Sequence, residues 1–216
     1  MIRLVIFDMD GVLIDSEDAI TRAAMQALSE DYGLPVRYED FKPFTGMGER
    51  VFIGSVAEKY GASFCEPMRE KTYRIYCDTA KDRVTVFPWA YTLPKKLKEL
   101  GFRVAVGSAA DDVKVLCNLA CIGADRSDFD AVVTASEVTR KKPDPEIFLK
   151  CAEKCGVSPA ECLVFEDAVS GVQAAKAGGM KCVALTTSFD RQTLLDAGAD
   201  KVVDSLDDAL DWIREV

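Results

Sequence analysis

The chain contains no histidine. That absence removes histidine-based triads, imidazole general bases and imidazole metal ligands, so any catalysis must rest on carboxylates, lysine, serine, cysteine or tyrosine. No apolar run is long enough to span a bilayer, and an N-terminus carrying Asp8 and Asp10 is unlike a signal peptide. A cytoplasmic protein with no membrane partner is therefore expected. Positive charge is in deficit: 27 Lys and Arg against 36 Asp and Glu give a net charge of −9. This balance speaks against nucleic acid as a partner. It does not speak against a small phosphate ester, because a bound divalent cation would dominate the local field. The eight cysteines include no C-x-x-C motif. Cys117 with Cys121, and Cys151 with Cys155, share helix faces, whereas Cys65, Cys77, Cys162 and Cys182 are scattered. They read as small apolar residues in a reducing compartment, with a metal or redox site as the alternative. Repeats and low-complexity linkers are also missing, and so is any long exposed apolar stripe, so a monomer is expected.

What is present is the balance of a globular protein, with 49% hydrophobic and 29% charged residues over 216 positions. Such a length suits one large domain, or one domain with an insertion. The most informative stretch is the first, Arg3-Leu-Val-Ile-Phe-Asp8-Met-Asp10-Gly-Val-Leu-Ile-Asp15-Ser16. Leu4 to Phe7 read as a strand buried on both faces. Asp8 and Asp10 follow without a spacer, and strand alternation starts them on the same side. Gly11 permits a sharp turn. Two anions held that close repel and persist most easily around a cation, the plainer reading being a solvated acidic turn.

Beyond this point the pattern divides. Asp15-Ser16-Glu17-Asp18 reads as a helix N-terminus, followed by Ile20, Ala23, Ala24, Ala27 and Leu28 at helical spacing until Gly33. Val51 to Lys59 and Met68 to Ala80 are further helical stretches, and no strand is evident between residues 15 and 83. Phe44-Thr45-Gly46-Met47-Gly48-Glu49-Arg50 is a glycine-bearing turn before a helix, where an anion could be held. From Val84 onward strands alternate with helices. Strands are expected at Arg103–Gly107, 131–134, 162–165, Lys181–Leu185 and Lys201–Val203. Helices are expected at 91–100, 111–121, 145–155, 171–177 and 207–214. Ser158 to Glu161 has capping-box spacing. Alternation of this kind argues for a parallel sheet with right-handed crossovers. The expected organisation is an α/β, Rossmann-like core over 1–14 and 84–216, with an all-helical segment over 15–83.

Polar groups recur where the strands end: Asp8 and Asp10, Ser108, Lys142, then Glu166 and Asp167. In a parallel sheet these ends open into the ligand crevice. Carboxylates without histidine suit a hard cation such as Mg²⁺, and a hydroxyl with an ammonium suits a phosphate. Four segments, Asp8-Met-Asp10-Gly-Val-Leu-Ile-Asp15-Ser16, Val106-Gly-Ser108, Lys142-Pro-Asp-Pro-Glu-Ile-Phe148 and Phe165-Glu166-Asp167-Ala-Val-Ser-Gly171, resemble in order the four motifs of the haloacid dehalogenase superfamily. The match is to its phosphatase and β-phosphoglucomutase-like branch, and it includes a helical cap inserted after the first strand.

The resemblance implies roles. Asp8 would accept the phosphoryl group as an aspartyl-phosphate. Asp10 would protonate the leaving oxygen and then activate water, with its backbone carbonyl on Mg²⁺. Ser108 and the adjoining Ala109 would bind phosphoryl oxygens, and Lys142 would neutralise charge on Asp8 and the phosphate. Asp8, Asp10, Glu166 and Asp167 would form the metal site, and the cap would close over the crevice. Thr45, Glu49 and Arg50 would contact the substrate from the cap. The chain departs from β-phosphoglucomutases there: Ile20 takes the place of a cap histidine, Thr45 and Glu49 the place of two cationic residues, and Arg50 is displaced by one. The expected activity is thus a Mg²⁺-dependent phosphatase of a small phosphorylated metabolite, such as a sugar or polyol phosphate. A phosphosugar mutase is the alternative, followed by a haloacid dehalogenase and a non-catalytic binding module.

Overall fold

The computed structural model describes residues 1–45, 48–207 and 209–213. The chain divides into two compact units, one of Met1–Asp15 and Val86–Val216 and the other of Ser16–Thr85. In chain order the elements are β1 (Leu4–Phe7), β2 (Ile14–Asp15), α1 (Glu17–Tyr32), α2 (Glu49–Lys59), α3 (Glu66–Arg83), β3 (Thr85–Val86) and α4 (Thr92–Glu99). They continue through β4 (Arg103–Gly107), α5 (Asp112–Ile122), β5 (Ala131–Val133), α6 (Glu146–Cys155), β6 (Cys162–Glu166) and α7 (Val169–Ala177). β7 (Lys181–Leu185), α8 (Arg191–Asp196), β8 (Lys201–Val203) and α9 (Ala209–Ile213) complete the list. Asp208 and Arg214, which belong to the helix expected over 207–214, lie outside the described residues, as do Gly46 and Met47 of the glycine-bearing turn.

The larger unit is built on one six-stranded sheet in the order β5-β4-β1-β6-β7-β8, with every described pairing parallel. The four residues of β1 are fully buried because the strand has neighbours on both edges and side chains covering both faces. On one face Leu4 and Ile6 pack with Ile147, Phe148 and Cys151 of α6 and with Val172 and Ala175 of α7. Burial of each of the Leu, Ile, Val and Phe side chains contributes about 1.5–3 kcal/mol. The chain first builds outward from β1 through β4 to β5, then crosses to β6 on the opposite edge. β1 therefore borders the topological switch point, the place where an open parallel sheet binds ligands.

Register places the strand ends level. Phe7 is paired with Val106 of β4 and with Phe165 of β6. The next residue on each strand, Asp8, Gly107 and Glu166, therefore shares one row just beyond the paired part of β1.

The unit Ser16–Thr85 is helical. Ala24 and Leu28 of α1, Phe52, Ile53 and Val56 of α2 and Met68 of α3 form its core, with Val36 and Phe41 from the intervening segment. Asp40 pins that segment to the end of α2. Its carboxylate accepts from Lys59 Nζ at 2.5 Å, the Tyr60 hydroxyl at 2.6 Å and the Arg37 amide at 2.8 Å. These donors, Lys59 foremost, hold the carboxyl well below the usual carboxylate range. A group depressed in the folded state stabilises above its unfolded pKa and loses that contribution as pH falls. Asp40→Asn is therefore expected to lower the melting temperature at pH 7, with variant and wild type converging below about pH 4 in thermal scans.

One expected local motif does not form. Ser158 opens a three-residue 3₁₀ turn, Pro159–Glu161, without a side-chain cap. The Glu161 carboxylate is drawn instead to Arg3, 3.4 Å away.

Candidate active site

Asp8 leaves β1 buried, its amide donating to the Phe165 carbonyl at 2.9 Å, so the sheet itself fixes the backbone beneath the carboxylate. Lys142 reaches the same row from the segment that precedes α6. Its Nζ donates to Asp8 Oδ1 at 2.5 Å and Glu166 Oε1 at 2.6 Å and approaches the Gly107 carbonyl at 3.4 Å. These three partners are the residues that the register sets level. The Phe148 ring centroid lies 4.7 Å from the ammonium, adding a cation–π contact. The loop carrying Lys142 is tied down by Glu146, whose carboxylate accepts from the Thr139 and Arg140 amides at 3.1 and 2.9 Å and pairs with Lys150 at 3.0 Å. The Arg140 amide, then Lys150, bring the Glu146 carboxyl down to about 2.

Glu166 spends both carboxylate oxygens within the site. Oε1 meets Lys142, and Oε2 accepts from the Asp167 and Ala168 amides at 2.8 and 2.9 Å. The sequence groups Glu166 with the metal ligands; here one of its oxygens accepts from Lys142 and the other from two backbone amides. The fold makes room for it with Gly171: a Cβ there would lie 1.7 Å from Glu166 Oε1. Glycine within a helix costs about 1 kcal/mol relative to alanine, and this close approach is what the cost secures. Gly171→Ala is expected to destabilise the protein by about 1–3 kcal/mol in denaturant unfolding, overpacking outweighing the gain in helix propensity.

Asp167 faces the turn after β1. Gly11, at φ +80°, has room for no side chain, since a Cβ would lie 1.8 Å from Asp167 Oδ2. Ser188 donates to the same carboxylate, and Thr187 donates to the Gly11 carbonyl at 2.6 Å. Asp10 carries a partly exposed side chain whose Oδ2 accepts from Lys114 Nζ at 3.0 Å. Ser108, buried just past β4, donates its amide to the Val133 carbonyl, while its Oγ accepts from the Ala110 amide at 3.2 Å. Ala109 beside it is half-buried.

The charges do not balance. Burial raises the Asp8 carboxyl above its usual range, Glu166 and Asp10 add to the rise, and Lys142 opposes it. Burial also raises Asp167, with Glu166 and Asp8 reinforcing. At Lys142, burial favours the neutral amine, but Asp8 and Glu166 together overcome it and hold the ammonium. Asp8, Glu166 and Asp167 thus share one buried lysine, a deficit of positive charge that a divalent cation would relieve. The available donors are oxygens, which fits Mg²⁺. Among the described residues no three acidic or sulfur side chains form a ready-made metal centre. Mg²⁺ is commonly held by one or two carboxylates together with waters and substrate phosphate oxygens.

The structure therefore brings Asp8, Lys142 and Glu166 into direct contact, and Asp10, Ser108 and Asp167 belong to the same unit. Thr45, Glu49 and Arg50 belong to the helical unit. There Thr45 donates to Glu17 at 3.1 Å, Glu49 is buried in the first turn of α2, and exposed Arg50 lies against the Phe64 ring and 3.7 Å from Glu66. Lys114, Asn118, Thr187 and Ser188 were not foreseen. The available signal was weak: Lys114 and Asn118 stand four apart beside the apolar stripe of Val115, Leu119 and Ile122. All eight cysteines are free; Cys151, Cys162 and Cys182 are buried and Cys77 is exposed. Among the described residues no helix is long and apolar enough to cross a membrane.

The family model of the haloacid dehalogenase-like hydrolases matches residues 2–179. The chain belongs to that family. It is 42% identical over 209 residues to the protein SUPPRESSOR OF QUENCHING 1 of Arabidopsis thaliana, covering 95% of this chain but 20% of that protein, so it spans about a fifth of that relative's length. It is 36% identical over 183 residues to the fructose-1-phosphate phosphatase YqaB of Escherichia coli, covering 82% of this chain and 93% of the relative. Among solved structures, β-phosphoglucomutase of Clostridium difficile superimposes with a TM-score of 0.80 at 26% identity, over 100% of this chain and 96% of that one.

Proposed function

We propose that the protein is a Mg²⁺-dependent phosphatase of a small phosphorylated metabolite, of the sugar or polyol phosphate class, acting through an aspartyl-phosphate on Asp8. The observation that carries this reading is the buried Asp8–Lys142–Glu166 contact, in one register row at the switch point of the sheet. A carboxylate fixed there by backbone and ammonium is a positioned nucleophile, and phosphoryl transfer is chiefly positioning and charge neutralisation.

Asp8 and Asp167, with the Asp10 backbone carbonyl, are the groups that would hold Mg²⁺, which supplies charge neutralisation of the phosphoryl oxygens. Lys142 balances the charge of Asp8, and Glu166 keeps Lys142 aimed. The Ser108 hydroxyl, accepting from Ala110 through its oxygen, has its proton to give to a phosphoryl oxygen. Asp10 gives a proton to the departing alkoxide, then takes one from the water that cleaves the aspartyl-phosphate. Of the three residues assigned to substrate contact, Arg50 is the one with an exposed cationic side chain, and Thr45 is engaged with Glu17.

The phosphatase reading is favoured over the mutase reading because Ile20 is a buried apolar residue of α1 and Glu49 is buried and acidic, so neither offers the cation a second phosphate needs. Phosphate release across a panel of phosphorylated sugars and polyols, with Mg²⁺ or with EDTA, tests it. Mg²⁺-dependent release from a few of these supports the proposal. Conversion of β-glucose 1-phosphate to glucose 6-phosphate without phosphate release would establish the mutase instead, and halide release from haloacids in EDTA would establish a dehalogenase.

A further inference from the structure

The first turn of α5 carries a lysine where elementary electrostatics disfavours one. The Lys114 side chain is 8% exposed, and desolvating an ammonium is costly unless it is paired. It also lies at the third position of the helix, where the macrodipole disfavours a cation. Both costs point to a compensating partner, and Lys114 Nζ lies 3.0 Å from Asp10 Oδ2. One turn along the same face, fully buried Asn118 sets its amide 3.5 Å from Asp10 Oδ1, so the helix presents two donors to the two oxygens of one carboxylate. The bond to Lys114 is the shorter and carries the argument.

We infer that Lys114, backed by Asn118, is a positioning residue for Asp10, fixing its carboxylate for the step in which it takes a proton from water. The inference rests on the role proposed above for Asp10 in cleaving the aspartyl-phosphate. Lys114 Nζ and the Asn118 amide reach the two oxygens of the Asp10 carboxylate from one helix face, so losing them misplaces the group that must meet the attacking water. A leaving group as good as p-nitrophenolate needs little proton donation, so with that substrate a misplaced Asp10 slows hydrolysis of the phospho-enzyme more than its formation. Asp10 lies in the turn after β1 with 36% of its side chain exposed, and Lys114 and Asn118 reach its carboxylate from α5.

The test uses the protein with Mg²⁺ and p-nitrophenyl phosphate. Lys114→Met is expected to lower kcat roughly 10²-fold, the scale of a misplaced catalytic group. Nitrophenol release should then show a burst, because phospho-enzyme forms faster than it is hydrolysed, and Lys114→Arg should recover part of the rate. In an Asp10→Asn background, Lys114→Met should cost nothing further in single-turnover phosphate release. An equal loss in that background, or a loss without a burst, would overturn the inference. Full activity of Asp10→Asn alone would instead overturn the proposed role of Asp10. If Lys114→Met fails to fold by circular dichroism, Lys114→Gln carries the same comparisons.

Discussion

Asp8→Asn is expected to lower Mg²⁺-dependent phosphate release by roughly 10⁴-fold or more, the scale seen when a covalent nucleophile is removed. The amide is nearly isosteric with the carboxylate, so the side chain still fills its place, but it offers no anionic oxygen to attack phosphorus. Lys142 keeps its 2.6 Å contact with Glu166, and no buried charge is stranded. Stability should therefore move by far less than activity, and a thermal melt run beside the assay separates the two. Replacing Asp8 should thus remove chemistry while sparing the fold. Wild-type rates from this variant would remove Asp8 from the reaction.

Lys142→Met is expected to remove activity and also to destabilise the protein by about 3–5 kcal/mol at pH 7, the cost of leaving buried charge without its partner. Glu166 and Asp8 both lean on this one ammonium, whose side chain is 7% exposed. A lysine raised in the folded state contributes stability that is fully present below its unfolded pKa and is lost only in strong alkali. The penalty for removing it should shrink as pH falls towards about 5. The Asp8 carboxyl, which burial raises even beside the lysine, takes up a proton there. Urea unfolding of metal-free wild type and variant at pH 5 and pH 7 measures this directly. An equal penalty at both values would mean that the destabilisation is lost packing over Phe148 and not lost charge.

How much of this site could be read before the fold was known depends on the kind of element. Asp8 was legible because a fully apolar run ended abruptly in acid, and strand alternation is a short-range rule that survives in the fold. The parallel sheet was legible for the same reason, since residues 103–107, 162–165 and 181–185 are bulky, apolar and separated by helical periods. The two-residue strands Ile14–Asp15 and Thr85–Val86 carry no period at all and could not be foreseen. Lys142 was legible as a cation after the strand expected at 131–134, but its pairing with Asp8 only through the resemblance, because its place in the site comes from a loop held by Glu146 and no local pattern encodes that tether. The division of labour between Glu166 and Asp167 was illegible as well. Two adjacent acids look alike in a sequence, and only packing against Gly171 and Lys142 for one, and Gly11 and Ser188 for the other, tells them apart. Lys114 and Asn118 escaped because helical periodicity marks which residues face inward, not which carboxylate they meet.

The central claim is that the phosphoryl group passes through Asp8. The direct measurement is rapid acid quench of the Mg²⁺-loaded protein with p-nitrophenyl phosphate, followed by mass analysis of the peptide that contains Asp8 and Asp10. A peptide heavier by one phosphoryl group, with the modification on Asp8, labile to base and absent in Asp8→Asn, is the predicted result. Phosphate release with no phosphorylated intermediate at any quench time, or with the group on another residue, would contradict the account.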